Sequence, residues 1–393
     1  MRRRLAATAA GALVLLACGS QTDGSTKPPA AAATATPSAN AGGSGKELLF
    51  AVLEPGGDLT AMRDNTVAIV RTNGTAKAKA RFDTRTLPRV GNALPLPQPE
   101  ARVAAGKVFY ADPSGSVRSL AVDGTVATVA SFPPLGPQQL LSFAVSPDGG
   151  QLMAALFSFP PVHVPPPQTP IDPPFGPGDF MLQMLTARAG QSVATLSKRN
   201  WAQSVGAPRD VLAVVGWSRE APLATIDTAL GTQQGSLGRE TFGHVAELDT
   251  AGRPGPPLGG YNCDAWSVLP DETILCDDDG QLRNFTVRAK DGGVRFRLHA
   301  TGDAQFLDLR LAPDAAHVVY MVSGGRAAVV DATGKTVQLP NNFRPEGWLD
   351  QQTVVGVLQT ASGDGDMALV QIEKPTRVQD LGFRGYFVGV VQG

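Results

Sequence analysis

The chain has 393 residues, 42% of them hydrophobic, with 34 basic and 35 acidic side chains and a net charge of −1. That is enough apolar material for one large or two ordinary domains, and nothing in the balance of charge suggests nucleic acid or a polybasic membrane patch. Forty-four Gly and 32 Pro call for many turns, favouring short strands over long helices.

Arg2-Arg3-Arg4, an apolar run from Leu5 to Ala17 and then Cys18 have the three-part shape of a secretory signal, and the run is too short to span a bilayer as a helix. Leu15-Leu16-Ala17-Cys18 resembles a bacterial lipobox, with Leu16 standing where a smaller residue is commoner. The resemblance implies that residues 1–17 are a lipoprotein signal peptide, that Cys18 is acylated, and that a lipid holds the protein on the cell membrane facing away from the cytoplasm. The rival reading is plain secretion with a chance cysteine. Residues 18–47 continue as Ala, Thr, Ser, Pro and Gly without apolar periodicity, a composition that cannot offset chain entropy by burial and reads as a flexible tether. Loss of the three N-terminal Arg leaves 31 basic against 35 acidic residues, a net −4.

The folded domain is expected over 48–393. Residues 48–82 supply three strands, LLFAVL, TVAIVR and AKAKARF, and complete four-strand units follow at 100–131, 140–198, 210–258, 264–299, 305–339 and 344–381. The third unit in the chain shows the grammar best. In Leu140–Phe157, LLSFAVSPDGGQLMAALF, two apolar runs flank Ser146-Pro147-Asp148-Gly149. Pro147 presets φ, Asp148 can bond back to the backbone, and Gly149 tolerates positive φ. The pattern returns at Ala265–Cys276, at Leu307–Val322 with Pro313-Asp314 but no following Gly, and without Pro-Asp at Gly216–Ile226 and Gly347–Leu358. Second hairpins turn at Asn73-Gly74, Asp123-Gly124, Ala189-Gly190, Ala251-Gly252, Asp291-Gly292 and Thr333-Gly334. Gly252 to Gly292 is 40 residues and Gly292 to Gly334 is 42, within the roughly 40–45 of a four-stranded propeller blade.

The expected fold is therefore all-β, a seven-bladed β-propeller of four-stranded antiparallel blades, in preference to two β-sandwiches. The first unit lacks an innermost strand and Tyr386–Val391 is left over at the far end, so this strand is expected to pair with Leu48–Leu53 and close the ring without a long exposed edge. The Ser-Pro-Asp-Gly units resemble the TolB-type, WD-repeat-like propeller repeats of bacterial envelope proteins. That resemblance implies a fold and not an activity.

Cys263 and Cys276 flank the turn at Pro270-Asp271-Glu272, and the midpoint between them falls between Leu269 and Pro270. Cross-strand pairing there makes a disulfide geometrically plausible, worth roughly 3 kcal/mol in the chain-entropy model; a metal pair would lack a nearby His. His163, His244, His299 and His317 fall in different units without ligand spacing, and Gly190-Gln191-Ser192-Val193-Ala194 lacks the final Gly of a nucleophile elbow. Asp277-Asp278-Asp279-Gly280 and Asp364-Gly365-Asp366 offer oxygens to calcium or, more simply, form solvated turns. Trp217, Trp266 and Trp348 recur near the end of the first strand of a unit and read as packing between blades, with no quinone-docking motif around them. No catalytic, metal-binding or cofactor-binding residue is assigned.

The long connections, 54–65, 83–99, 159–178, 199–209 and 229–241, belong to the first four units and on a propeller share one face. The loop at 159–178 holds nine prolines, which stiffen it toward polyproline II. The expectation is a monomeric, lipid-anchored binding or interaction module whose unknown protein or small ligand meets that face, with no nucleic acid among its partners. The alternative is a propeller lyase, lactonase or glycosidase, whose acids should gather from several innermost strands.

Overall fold

A computed structural model of the chain describes residues 47–54, 65–83, 101–161, 178–202, 211–228, 243–361 and 363–391. Residues 1–46, on which the expected signal peptide, Cys18 and nearly all of the expected tether fall, lie outside them.

Among the described residues, twenty-eight strands form seven four-stranded antiparallel sheets. Blade one holds β1 (Leu49–Glu54), β2 (Asn65–Arg71) and β3 (Ala76–Phe82), and blade two β4 (Ala101–Ala104), β5 (Lys107–Ala111), β6 (Ser116–Leu120) and β7 (Val126–Ser131). Blade three is β8 (Gln139–Val145), β9 (Gln151–Ser158), β10 (Asp179–Arg188) and β11 (Ala194–Ala202); blade four is β12 (Val211–Trp217), β13 (Pro222–Thr228), β14 (Val245–Leu248) and β15 (Pro254–Pro257). Blade five is β16 (Asp264–Val268), β17 (Ile274–Asp277), β18 (Asn284–Arg288) and β19 (Val294–His299). Blade six is β20 (Phe306–Leu311), β21 (His317–Val322), β22 (Arg326–Asp331) and β23 (Thr336–Gln338), and blade seven β24 (Phe343–Trp348), β25 (Thr353–Thr360), β26 (Gly363–Gln371) and β27 (Val378–Asp380).

The last strand, β28 (Tyr386–Val391), is the innermost strand of blade one. It runs antiparallel to β1, with Leu49 opposite Val391 and Leu53 opposite Tyr386 around a bulge. First strands of neighbouring blades lie side by side, β28 beside β4 and β24, β8 beside β4 and β12, and β20 beside β16 and β24, so the expected closure is the one found.

Why these strands are apolar runs, and not alternating, follows from the ring. A blade wedged between two others buries both of its faces. In β1, Leu49 and Ala51 pack toward blade two while Phe50 and Val52 pack toward blade seven. In β9, Met153, Ala155 and Phe157 meet blade four while Leu152, Ala154 and Leu156 join the cluster with blade two. Seven apolar clusters result, one at each interface between neighbouring blades.

Candidate binding face

Within each blade the chain runs alternately up and down. The connections from second to third strand, and from the fourth strand to the next blade, therefore leave one end of the ring; the two hairpin turns leave the other. Segments 55–64, 84–100, 162–177, 203–210 and 229–242 lie outside the described residues, but the strands that flank them all end on the first side, in blades one to four. The proline-rich stretch singled out in the sequence falls largely within 162–177, and His163 with it.

The repeat turns sit at the opposite end and are occupied with holding themselves together. The Asp148 carboxylate takes bonds from the Ser146 hydroxyl and the Gly150 N–H, Ser146 Oγ accepts the Gln151 N–H at 2.9 Å, and Gly149 stands at φ +73°. The Ser146 hydroxyl first, and then the Gly150 N–H, hold the Asp148 carboxyl below its usual range. After Pro313, Asp314 accepts the Ala316 N–H at 2.8 Å and meets His317 Nδ1 at 3.0 Å. Ala315 takes the place of the missing glycine at φ +53°, and Glu272 does the same in blade five at φ +61°. Blade seven lacks Pro-Asp yet keeps the acceptor, because Asp350 receives the Gln352 N–H at 2.8 Å.

On the first side, blade five carries a built corner. The Cys263–Cys276 disulfide is present, its Cα atoms 4.8 Å apart and both residues fully buried. The register differs from the expected one: Cys276 stands opposite Ala265, and a bulge between Ala265 and Ser267 moves the pairing, so the bridge runs diagonally from just before β16. Gly259, at φ +73°, lies over it, and a Cβ there would come within 2.8 Å of the Cys263 sulfur. Arg288 fastens this lid, donating to the Gly259 carbonyl at 2.8 Å and to Asp278 at 2.6 Å.

The three consecutive aspartates are not a solvated turn throughout. Asp277 is only 2% exposed and accepts the N–H groups of Asp279, Gly280 and Leu282; burial pushes its carboxyl up to about 6 against the pull of those bonds. Asp278 is held by Arg288 and Thr286, and Asp279 by Asn284 and the Gln281 N–H. Carboxylates turned toward protein donors are not arranged as a calcium cradle. Among the described residues no three His, Cys, Asp or Glu side chains are placed to hold a metal. His244 meets the Tyr261 carbonyl at 2.8 Å and His299 meets Asn284 at 2.6 Å.

The sequence reading missed the charges on the innermost strands. Blade two brings Arg102, whose Nε donates to Phe143 O at 3.1 Å and whose burial brings its pKa down to about 9. Blades five to seven bring half-buried Asp264, Asp308, Arg310, Arg344 and Glu346. Asp308 sits at φ +50° in a bulge of β20. Arg344 pairs with Asp364 and lies 3.6 Å from Glu346, while Glu346 accepts the Phe387 N–H of the closing strand at 2.7 Å. The signal was there: a charge inside a short apolar strand, as in FLDLRL or FRPEGW, is costly unless the strand reaches a channel or a partner. Trp266 packs edge-on against Phe285, and Trp348 donates to Arg310 O of blade six at 3.0 Å; both are buried, and Trp217 is half-buried beside the cluster between blades three and four.

No family model and no curated protein matches the chain. Among solved structures it is similar to the dihydro-heme d1 dehydrogenase NirN in complex with DHE, at 14% identity and a TM-score of 0.41 over 88% of this chain and 74% of that one. It is similar to the acylaminoacyl peptidase of Pyrococcus horikoshii at 11% identity and a TM-score of 0.49, over 85% of this chain but only 52% of the peptidase. A third likeness, at 13% identity and a TM-score of 0.39, is to BamB of Moraxella catarrhalis over 79% and 80% of the two chains.

Proposed function

We propose that the protein is a lipid-anchored, extracytoplasmic propeller of the TolB-like kind that works as a binding or interaction module of the cell envelope. The carrying observation is the one-sidedness of the ring: the five long connections of blades one to four all depart from one end, and self-satisfied hairpin turns occupy the other. A closed scaffold that presents long segments on one side is how loops acquire binding roles. The partner is a protein or small ligand of the envelope, and Cys18 supplies the membrane attachment.

Photo-crosslinkers placed at Pro161 and Tyr261, both exposed beside the first end, and at Thr333, exposed at the other, test this reading in the native envelope. Adducts at the first two positions and none at Thr333 are expected; equal labelling of both ends overturns it. Cys18→Ala should release the protein from the membrane fraction or block its processing, and unchanged membrane association refutes the anchor. An enzymatic reading, a lyase, lactonase or glycosidase, has one observation behind it, the innermost-strand Asp308 held at positive φ.

A further inference from the structure

Every blade of a propeller exposes its outermost strand, and an exposed strand edge invites pairing with other chains unless something blunts it. Six of the seven edges here are blunted. β3 carries Lys77, Lys79 and Arg81, β11 carries Lys198 and Arg199, and β19 carries Arg295, Arg297 and His299. β15 is PGPP, with three prolines, and β23 and β27 are three residues each. The exception is β7, VATVAS, six residues with neither charge nor proline. Its Val126 is 43% exposed, and Ala127, Thr128 and Ser131 are exposed as well. A bulge at Val129 does not set it apart, because the outermost pairs of blades one, three, four and five shift register too.

Beside this strand, between blades two and three, opens a groove of about 660 Å³. Thr128–Pro133 form one wall; Gln183, Leu185, Thr195 and the turn at Gly190–Val193 form the other, and among the described residues no charged one lines it. One outward carbonyl of the edge, that of Val129, already accepts the Gly190 N–H at 3.3 Å.

We infer that β7 is a docking edge for an extended peptide segment of another protein, which pairs with it as a fifth strand and lays alternate uncharged side chains in the groove between blades two and three. Main-chain bonds along β7 give the affinity and the groove gives the side-chain selection. Charge decides the chemistry of the occupant: an acid or base pointing into a neutral groove is desolvated without a counter-charge. Bulk decides its source. A second copy could offer only its own β7, the other edges being blunted, and its folded blade would stand too broad to enter a cleft between blades. A single pairing of six residues also falls below the about 1,200 Å² of a stable interface. The site is distinct from the long-connection face and stands independently of it.

The test uses the full chain and a dye-labelled eight-residue peptide of alternating valine and threonine with short Gly-Ser tails, together with a twin carrying glutamate at two valine positions. Fluorescence anisotropy should show saturable binding of the neutral peptide and binding about ten-fold or more weaker for the acidic twin. Amides of Val126–Ser131 should slow in hydrogen exchange when the peptide is added, while those of β3 and β19 stay unchanged. Thr128→Lys, at an exposed position, should weaken binding about ten-fold without lowering the melting temperature. No binding at about 1 mM peptide, undiminished binding by Thr128→Lys, or protection at another edge overturns the inference. So does dimerisation of the chain that Thr128→Lys abolishes while the peptide fails to bind, since the occupant is then a second copy.

Discussion

The interface between blades seven and one and the interface between blades four and five solve the same problem with different materials. At the first, ten buried apolar residues, Phe50, Val355, Val357 and Met367 among them, pack together, and a strand from the far end of the chain completes blade one. At the second, the cluster of described residues has six buried members, and two of these are the bridged Cys263 and Cys276. Polar links stand beside them. Arg219 N–H donates to Pro270 O at 2.9 Å, and Ala265 N–H to Gly243 O at 2.9 Å. Where large side chains are plentiful the ring closes by burial; where they are few, a covalent bridge stiffens the face that blade five turns toward blade four.

The sharpest way to break the comparison is to remove the closing strand. A chain ending at Arg384 leaves β1 and β24 without their neighbour. Phe387 and Val390 vanish from the cluster with blade seven, and Val388 and Val391 from the cluster with blade two. The edge of β1, apolar up to Glu54 at its end, is then left unpaired and the inner strand β24 loses the chain packed beside it, so aggregation is expected and not a frayed tail. Size-exclusion chromatography decides: a monomeric truncation that melts cooperatively at the parent temperature would show the closure to be dispensable. The disulfide should matter less. Converting Cys263 and Cys276 to Ala opens a loop of 13-residue separation and should cost about 3 kcal/mol in a denaturant titration. A protein equally stable with and without reductant would place the strength of this interface elsewhere.

How much of this could be read from sequence depends on what each feature answers to. The blades were legible because two chemically simple signals coincide. Strands such as LLSFAV are apolar throughout since both faces are covered, and turns such as Ser146–Gly149 are punctuated by residues with one conformational use. The cysteine pairing was legible as a pair but not as a register, because the bulge after Ala265 adds a residue that no periodicity reveals. Asp277 was misread, since three aspartates in a row look solvated and only the fold shows the first one turned inward onto its own turn's N–H groups. The innermost charges Arg102, Arg344 and Glu346 were passed over because the acids in turns drew the reading. Their partners, Phe143 O, Asp364 and the Phe387 N–H, lie 20 to 41 residues away in sequence.

A smaller perturbation sharpens the contrast at the closing seam. A Cβ added at Gly347 would stand 2.7 Å from the Phe387 ring, and that ring is fixed between β24 and β1. Gly347→Ala should cost about 1–3 kcal/mol by overpacking. In a Phe387→Ala background the penalty should vanish, a coupling that a double-mutant cycle reads directly. Additive effects in that cycle would mean that the alanine is accommodated by backbone movement and that Phe387 does not set the spacing of blades seven and one.

The smallest expected effect belongs to the other interface, and it is a slope and not a loss. Asp277 follows Cys276 directly in β17, and burial raises its folded pKa to about 6, above the about 4 of an unfolded aspartate. The folded protein therefore holds this proton more tightly than the unfolded chain. The stabilisation it brings is complete below about pH 4 and is lost as the pH rises to about 6, where a buried charge remains. The exposed turn carboxylates act in the opposite sense and lower down: Asp148, Asp249 and Asp331 have depressed pKa values, so their contribution is present above about pH 4 and is lost below it. In the window from pH 4 to 6, wild type should accordingly lose stability relative to Asp277→Asn. The variant keeps an oxygen for the N–H groups of Asp279 and Gly280 but turns an amide toward that of Leu282. Its curve should therefore start lower below about pH 4 and run flatter between 4 and 6. Parallel curves across that window would mean that Asp277 keeps an ordinary pKa in the fold, and that the corner beneath the disulfide is wetter than its 2% exposure implies.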